Sequence, residues 1–157
     1  MTGLPILPML LVAHVLSVIV WIGGLAFVTT VVLPALTRLP PAQRIPAFLE
    51  IERRFGLQAR VLVLLVGASG GDMLARLHLA GLMAGVHGLW LDGMVAFWAL
   101  FMLLLFVLEP AVLHRRLRER GARAGEATRL MLLRGHAVLL ALALIVAAAA
   151  VLGVQGF

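Results

Sequence analysis

Residues 130–154 read LMLLRGHAVLLALALIVAAAAVLGV, with Arg134 and His136 the only ionisable side chains among them. A helix needs about 20 mostly apolar residues to cross the hydrocarbon of a bilayer, and this run is long enough. Three more such runs precede it, at about 4–36 (with Pro34 near its end), about 55–83 and about 89–113. The pattern predicts an all-α integral membrane protein, a four-transmembrane-helix bundle filling residues 1–157 as one domain, with no evident sequence repeat. Composition agrees. Of 157 residues, 63% are apolar and 13% charged, and the mean hydropathy is +1.11. An ordinary soluble domain has about 45–50% and about 25%, so a soluble enzyme is excluded. Disorder is excluded too, because disordered chains lack apolar surface to bury.

The chain has no cysteine, which removes disulfides, thiolate metal sites and cysteine nucleophiles. All 13 basic residues are arginine, against seven acids, for a net charge of +6. These arginines gather between the apolar runs, a sign of membrane topology rather than of nucleic-acid binding. The connection 37–54 holds Arg38, Arg44, Arg53 and Arg54 against Glu50 and Glu52. The connection 114–129 holds Arg115, Arg116, Arg118, Arg120, Arg123 and Arg129 against Glu119 and Glu126, whereas 81–88 has no arginine. Positive-inside counting places the first and third connections in the cytoplasm and both termini outside. The amino terminus has no basic side chain before its apolar run, so that run reads as a retained helix rather than a cleaved signal. The expected location is a bacterial inner membrane.

Small residues recur at spacing four: Gly67 with Gly71, Gly81 with Gly85, Ala143 with Ala147, and Ala149 with Gly153. In lipid such faces let helices or subunits approach closely, which suggests a homo-oligomer, a dimer or trimer. The stripe Gly67, Gly71, Leu74 and His78 also suits a flat ligand. Ionisable groups inside the hydrocarbon are costly, so each is a candidate site. The outer half collects His14, Asp72, Arg76, His78, Asp92 and Met94, and the inner half Arg60, Glu109, Arg134 and His136. Arg60, Glu109 and His136 can neutralise one another or mark a proton path. Asp72, Arg76 and Asp92 can form a pair or triad, or Arg76 can fork onto a ligand carboxylate. His14 shares a face with Ser17 and Trp21. Its imidazole can donate to a carbonyl or to Asp72, or serve as an axial haem ligand. Met94, Trp98, Leu105 and Glu109 make a comparable stripe on the third helix, and Trp90 suits an interfacial anchor.

The segment from His14 through Trp21 to Leu25 resembles the first helix of HemJ-type protoporphyrinogen oxidases and of CopD-type copper-resistance membrane domains. Ile51-Glu52-Arg53-Arg54-Phe55 leading to Gly67, and Trp90-Leu91-Asp92-Gly93-Met94, are similar to the starts of the second and third HemJ-type helices. The resemblance implies haem b held by His14. A third-helix lysine linked to the haem in that family is matched here by Met94, and the chain contains no lysine. Haem binding therefore carries over better than protoporphyrinogen oxidation. A thioether is a legitimate haem ligand, so His14 and Met94 are the expected metal ligands, with His78 and His87 as alternatives to Met94. Ser17, Trp21, Gly67, Gly71, Arg76 and Trp98 are the expected remaining cofactor contacts. The implied activity is electron transfer or a haem-dependent oxidation, with a quinone, porphyrin or redox protein as partner and no nucleic acid. The CopD likeness implies copper handling instead, since thioethers and imidazoles suit Cu(I). A structural or assembly subunit without cofactor is the third reading.

Overall fold

The computed structural model describes residues 6–83, 85–113 and 126–155, with side-chain surroundings given for 6–83, 85–109 and 130–155. The arginine cluster of the third connection lies outside them. The described residues are helical almost throughout, without a strand. Helix α1 is Ile6–Phe27 and runs on through Val28–Val32, Leu33–Ala35 and Leu36–Arg38; α2 is Pro41–Arg76. Helix α3 is Leu89–Leu103, continued by Leu104–Leu113, and α4 is Glu126–Val154. Four of these stretches are long and apolar enough to cross a membrane: Ile6–Arg38, Pro41–Arg76, Val86–Glu109 and Leu130–Val154. Helix α1 packs chiefly on α2, and α3 on α4, so the bundle consists of two helix pairs.

The second helix departs from its expected span of 55–83. It begins at Pro41 and ends at Arg76. The residues read as a charged connection carry buried Ile45 and Phe48, a stripe that Gly56 continues at near-helical spacing. Ile45 and Phe48 pack with Val28, Leu33 and Leu132 into a second core cluster. Pro41 at the first helical position costs no hydrogen bond, because that amide has no partner in any helix. Arg44 secures the preceding turn, donating from Nε to the Leu39 carbonyl at 2.9 Å and from Nη2 to that of Thr37 at 3.0 Å. At 36 residues, α2 is ~54 Å long, against ~30 Å of hydrocarbon. Its first third, which carries Arg44 and Glu50, therefore extends beyond any membrane that the rest crosses.

The principal core joins all four helices around Trp21, Leu25, Ala59, Val63, Val66, Phe97, Phe101 and Ala143. Trp21 meets Phe101 edge-on at 4.7 Å between centroids and Phe97 at 5.7 Å, and Phe97 meets Phe101 at 5.0 Å. Such pairs contribute ~0.5–1.5 kcal/mol each beyond their area. In lipid this packing matters more than usual, since apolar burial alone gives no drive between helices.

Two of the helices share a local pattern. Helices α1 and α3 both widen into a π-helical segment, starting at Val28 and at Leu104. Pro34 and Pro110 follow at the same distance from those starts. Proline lacks an amide hydrogen and crowds the carbonyl one turn back, and a wider turn accommodates it; the Leu33 amide accordingly bonds to Val28 rather than to Thr29. Under this correspondence the buried residues Trp21, Leu25 and Leu33 match buried Phe97, Phe101 and Glu109. A carboxylate thus stands in the second half where the first half has leucine.

Candidate functional site

His14 projects from α1 towards α2. Its Nδ1 lies 3.2 Å from the Val66 carbonyl oxygen and 3.1 Å from Ser69 Oγ. The carbonyl can only accept, and the Ser69 hydroxyl already donates to the Leu65 carbonyl at 2.6 Å. Nδ1 therefore carries the proton, and in the neutral ring Nε2 keeps its lone pair. A Cβ at Gly70 would stand 3.0 Å from His14 Cε1 and 3.4 Å from Nδ1. Glycine at that place admits the ring against the α2 backbone. Of the partners foreseen for His14, a carbonyl is used, with Ser69 added to it. Metal-binding histidines commonly have their second nitrogen fixed in this way, which sets the tautomer and ring orientation.

The other expected contacts divide. Ser17 and Trp21 share the His14 face but are buried, Trp21 within the aromatic core. Trp98 does not flank an open slot. Its Nε1 donates to the Val63 carbonyl at 3.0 Å, and a Cβ on Gly67 would stand 2.6 Å from its Cζ2. The space beside Gly67, read as room for a flat ligand, is filled by the Trp98 indole. Gly71, one turn on, has nothing within 4 Å of its Cβ position and stays open. Arg76 pairs with Asp72, Nε to Oδ1 at 2.9 Å. Met94 is half-buried on α3.

Small residues elsewhere also divide, with Gly81 open and others packed within the chain. Gly153 faces the Trp90 ring, Ala143 is fully buried, and Trp90 Nε1 donates to the His87 carbonyl at 3.0 Å.

His78 and His87 belong to the turn after α2. His78 is the one described non-glycine residue with positive φ, 54°, and it ends α2 in the left-handed conformation. That conformation costs a side-chain-bearing residue about 1–2 kcal/mol and is the usual place for glycine. His78→Gly is expected to raise unfolding stability by about 1 kcal/mol and leave any bound-cofactor spectrum unchanged. A changed spectrum would make His78 a ligand.

At the opposite end of the bundle, Arg60 Nη2 pairs with Glu109 Oε1 at 3.0 Å, and Arg60 Nε donates to the Leu105 carbonyl at 3.1 Å. In the π-helical register that carbonyl would receive the amide of residue 110, and Pro110 has none. Arg60 fills the gap. His136 stays out of this pair: its Nδ1 meets the Leu132 carbonyl at 2.9 Å, and its ring packs edge-on against Phe48. Glu52, read as a loop residue, is drawn into this region by the extension of α2, and its spacing from Gly56 and Arg60 was the available signal.

Comparison with family models, curated proteins and solved structures returns no match. The likeness to HemJ-type and CopD-type proteins rests on the quoted residues alone. Among the described residues no three His, Cys, Asp or Glu side chains converge as a metal site. Ligation by one imidazole and one thioether falls outside that test. The donor chemistry of His14 fits an axial haem ligand.

Proposed function

We propose that the chain is an integral protein of the bacterial inner membrane that binds haem b through His14 Nε2 and serves electron transfer or oxidation of a hydrophobic substrate. The observation that carries this reading is the donation of His14 Nδ1 to Val66 and Ser69, which leaves Nε2 as the free base. The resemblance of the His14–Leu25 segment to HemJ-type first helices supports the choice of haem. Haem would supply the one-electron chemistry. The protein's part is to hold the imidazole, exclude water with the aromatic core below it, and set the potential. Met94 is the proposed second ligand, and a quinone, porphyrin or redox protein the proposed partner. Purification after expression with ample haem tests the reading: a Soret band is expected, and it should disappear in His14→Ala. Protein without haem would overturn it.

Orientation has its own test. The arginine asymmetry puts the 37–54 and 114–129 connections inside and both termini outside. The chain has no cysteine, so single cysteines report cleanly. Val86→Cys, at a residue 82% exposed, should react with an impermeant thiol reagent on intact cells. Gln43→Cys, exposed at the start of α2, should react only after permeabilisation. The reverse pattern would invert the topology.

A further inference from the structure

Glu52, Gly56 and Arg60 recur at four-residue intervals on α2 and so stack along one face. Glu109 of α3 rests on that face at Gly56, where a Cβ would stand 2.9 Å from its Oε1 and 3.4 Å from its Oε2. Arg60 holds Glu109 from one side, Nη2 to Oε1 at 3.0 Å. Glu52 flanks it from the other. Glu52 Oε2 is sealed from solvent without a hydrogen-bond partner, and the Glu109 carboxylate is near enough to act on it electrostatically. Side-chain exposure at Glu109 is 8%, so water does little to screen the two carboxyl groups from each other.

One guanidinium cannot balance two carboxylates. Among the described residues, no other charged group pairs with either carboxylate. Helix α1 has no ionisable side chain between His14 and Arg38. On α4, His136 is engaged with Leu132 and Phe48, and Arg134 lines a groove between α3 and α4 with Leu100, Leu104 and Met131. On α2 itself, Arg53 and Arg54 are exposed and pair with Glu50. Two like charges confined to one poorly solvated site do not both ionise, and a proton resolves the conflict at least cost. Protonation would also turn the orphaned Oε2 of Glu52 into an O–H donor and remove its charge from the neighbourhood of Glu109.

We propose that Glu52 and Glu109 form a proton-binding site, in which the pair holds one proton on Glu52 while Glu109 stays ionised against Arg60. Releasing that proton changes the cluster from neutral to a single negative charge, so the arginine-rich end of the bundle responds to the proton activity on its own side. The site is independent of the haem reading, and neither result bears on the other.

Infrared spectroscopy of the purified full-length protein tests this through the C=O stretch of a protonated carboxylic acid. At neutral pH the wild type should show such a band from one carboxyl group, shifting in deuterium oxide and fading as pH rises. Glu52→Gln should lose it and stay folded, because the amide copies the neutral acid in shape. Glu109→Gln should lose it as well, since Glu52 then has no neighbouring charge and Arg60 lacks a partner. Glu50→Gln, at an exposed residue, should keep it. Absence of the band from the wild type, or its survival in Glu52→Gln, would overturn the proposal. A missing band together with a melting temperature that rises with potassium or sodium would assign the site to a cation instead.

Discussion

His14→Ala is expected to abolish the Soret absorption of the purified protein while leaving its helical content and yield in the membrane unchanged. Two features of the surroundings make this the largest spectroscopic effect anticipated for any substitution. The ring is held between helices by Val66 and Ser69, and among the described residues no other histidine makes these contacts. The contacts of its Nδ1 side also make a graded series possible. Ser69→Ala removes one of two acceptors and leaves the Val66 carbonyl, so haem should still bind, with affinity lowered by about 10-fold, the weaker end of the effect seen for outer-shell partners of metal-bound histidine. Gly70→Ala puts a methyl group 3.0 Å from Cε1 and should shift the spectrum by turning the ring rather than removing it. Met94→Ala should alter the spectrum or hasten haem loss, and a His/Met pair should have a higher reduction potential than a bis-His pair. A spectrum indifferent to Met94 directs the search to His78 and His87. One indifferent to His14 ends the haem reading, and the imidazole is then a structural clamp between α1 and α2.

The apolar runs and their order were legible in the sequence because lipid allows few alternatives to long helices. Boundaries were less so. Charges made residues 37–54 read as a connection, yet Ile45 and Phe48 find partners in Val28, Leu33 and Leu132, and tertiary burial extends the helix. The same extension moved Glu52 from a solvated loop to a buried ion cluster. What the singled-out side chains face was not legible. Gly67 and Trp98 were each singled out, and the structure shows that they fill one another. Spacing names the helix face; it does not say what occupies the space in front of it. The likeness of α1 and α3 was hidden for a related reason, since only Pro34 and Pro110 mark it and the matched buried residues differ in type.

The comparison of the two halves leads to the second large effect. Where α1 places Leu33 in the apolar cluster with Leu132, α3 places Glu109 against Gly56 and Arg60. Removing one partner of a buried ion pair strands the other, at a cost of about 3–5 kcal/mol. Arg60 is 29% exposed and can turn partly towards solvent or towards Glu52 on its own helix face, so Glu109→Ala should fall at the lower end, about 3 kcal/mol. Arg60→Met should cost more, because it strands a carboxylate with 8% exposure and also frees the Leu105 carbonyl that Pro110 cannot serve. The double variant Arg60→Met/Glu109→Leu leaves no stranded charge and restores at position 109 the residue type found at Leu33. It should be more stable than Arg60→Met alone, short of wild type by about 1–3 kcal/mol for the unsatisfied carbonyl. Reversible unfolding in detergent micelles measures all three. If the single variants lose less than about 1 kcal/mol, the pair is screened like a surface salt bridge and adds little to the fold. If instead the double variant is as unstable as Arg60→Met, the lost Leu105 hydrogen bond outweighs the charge, and the main task of Arg60 is to complete the π-helical turn.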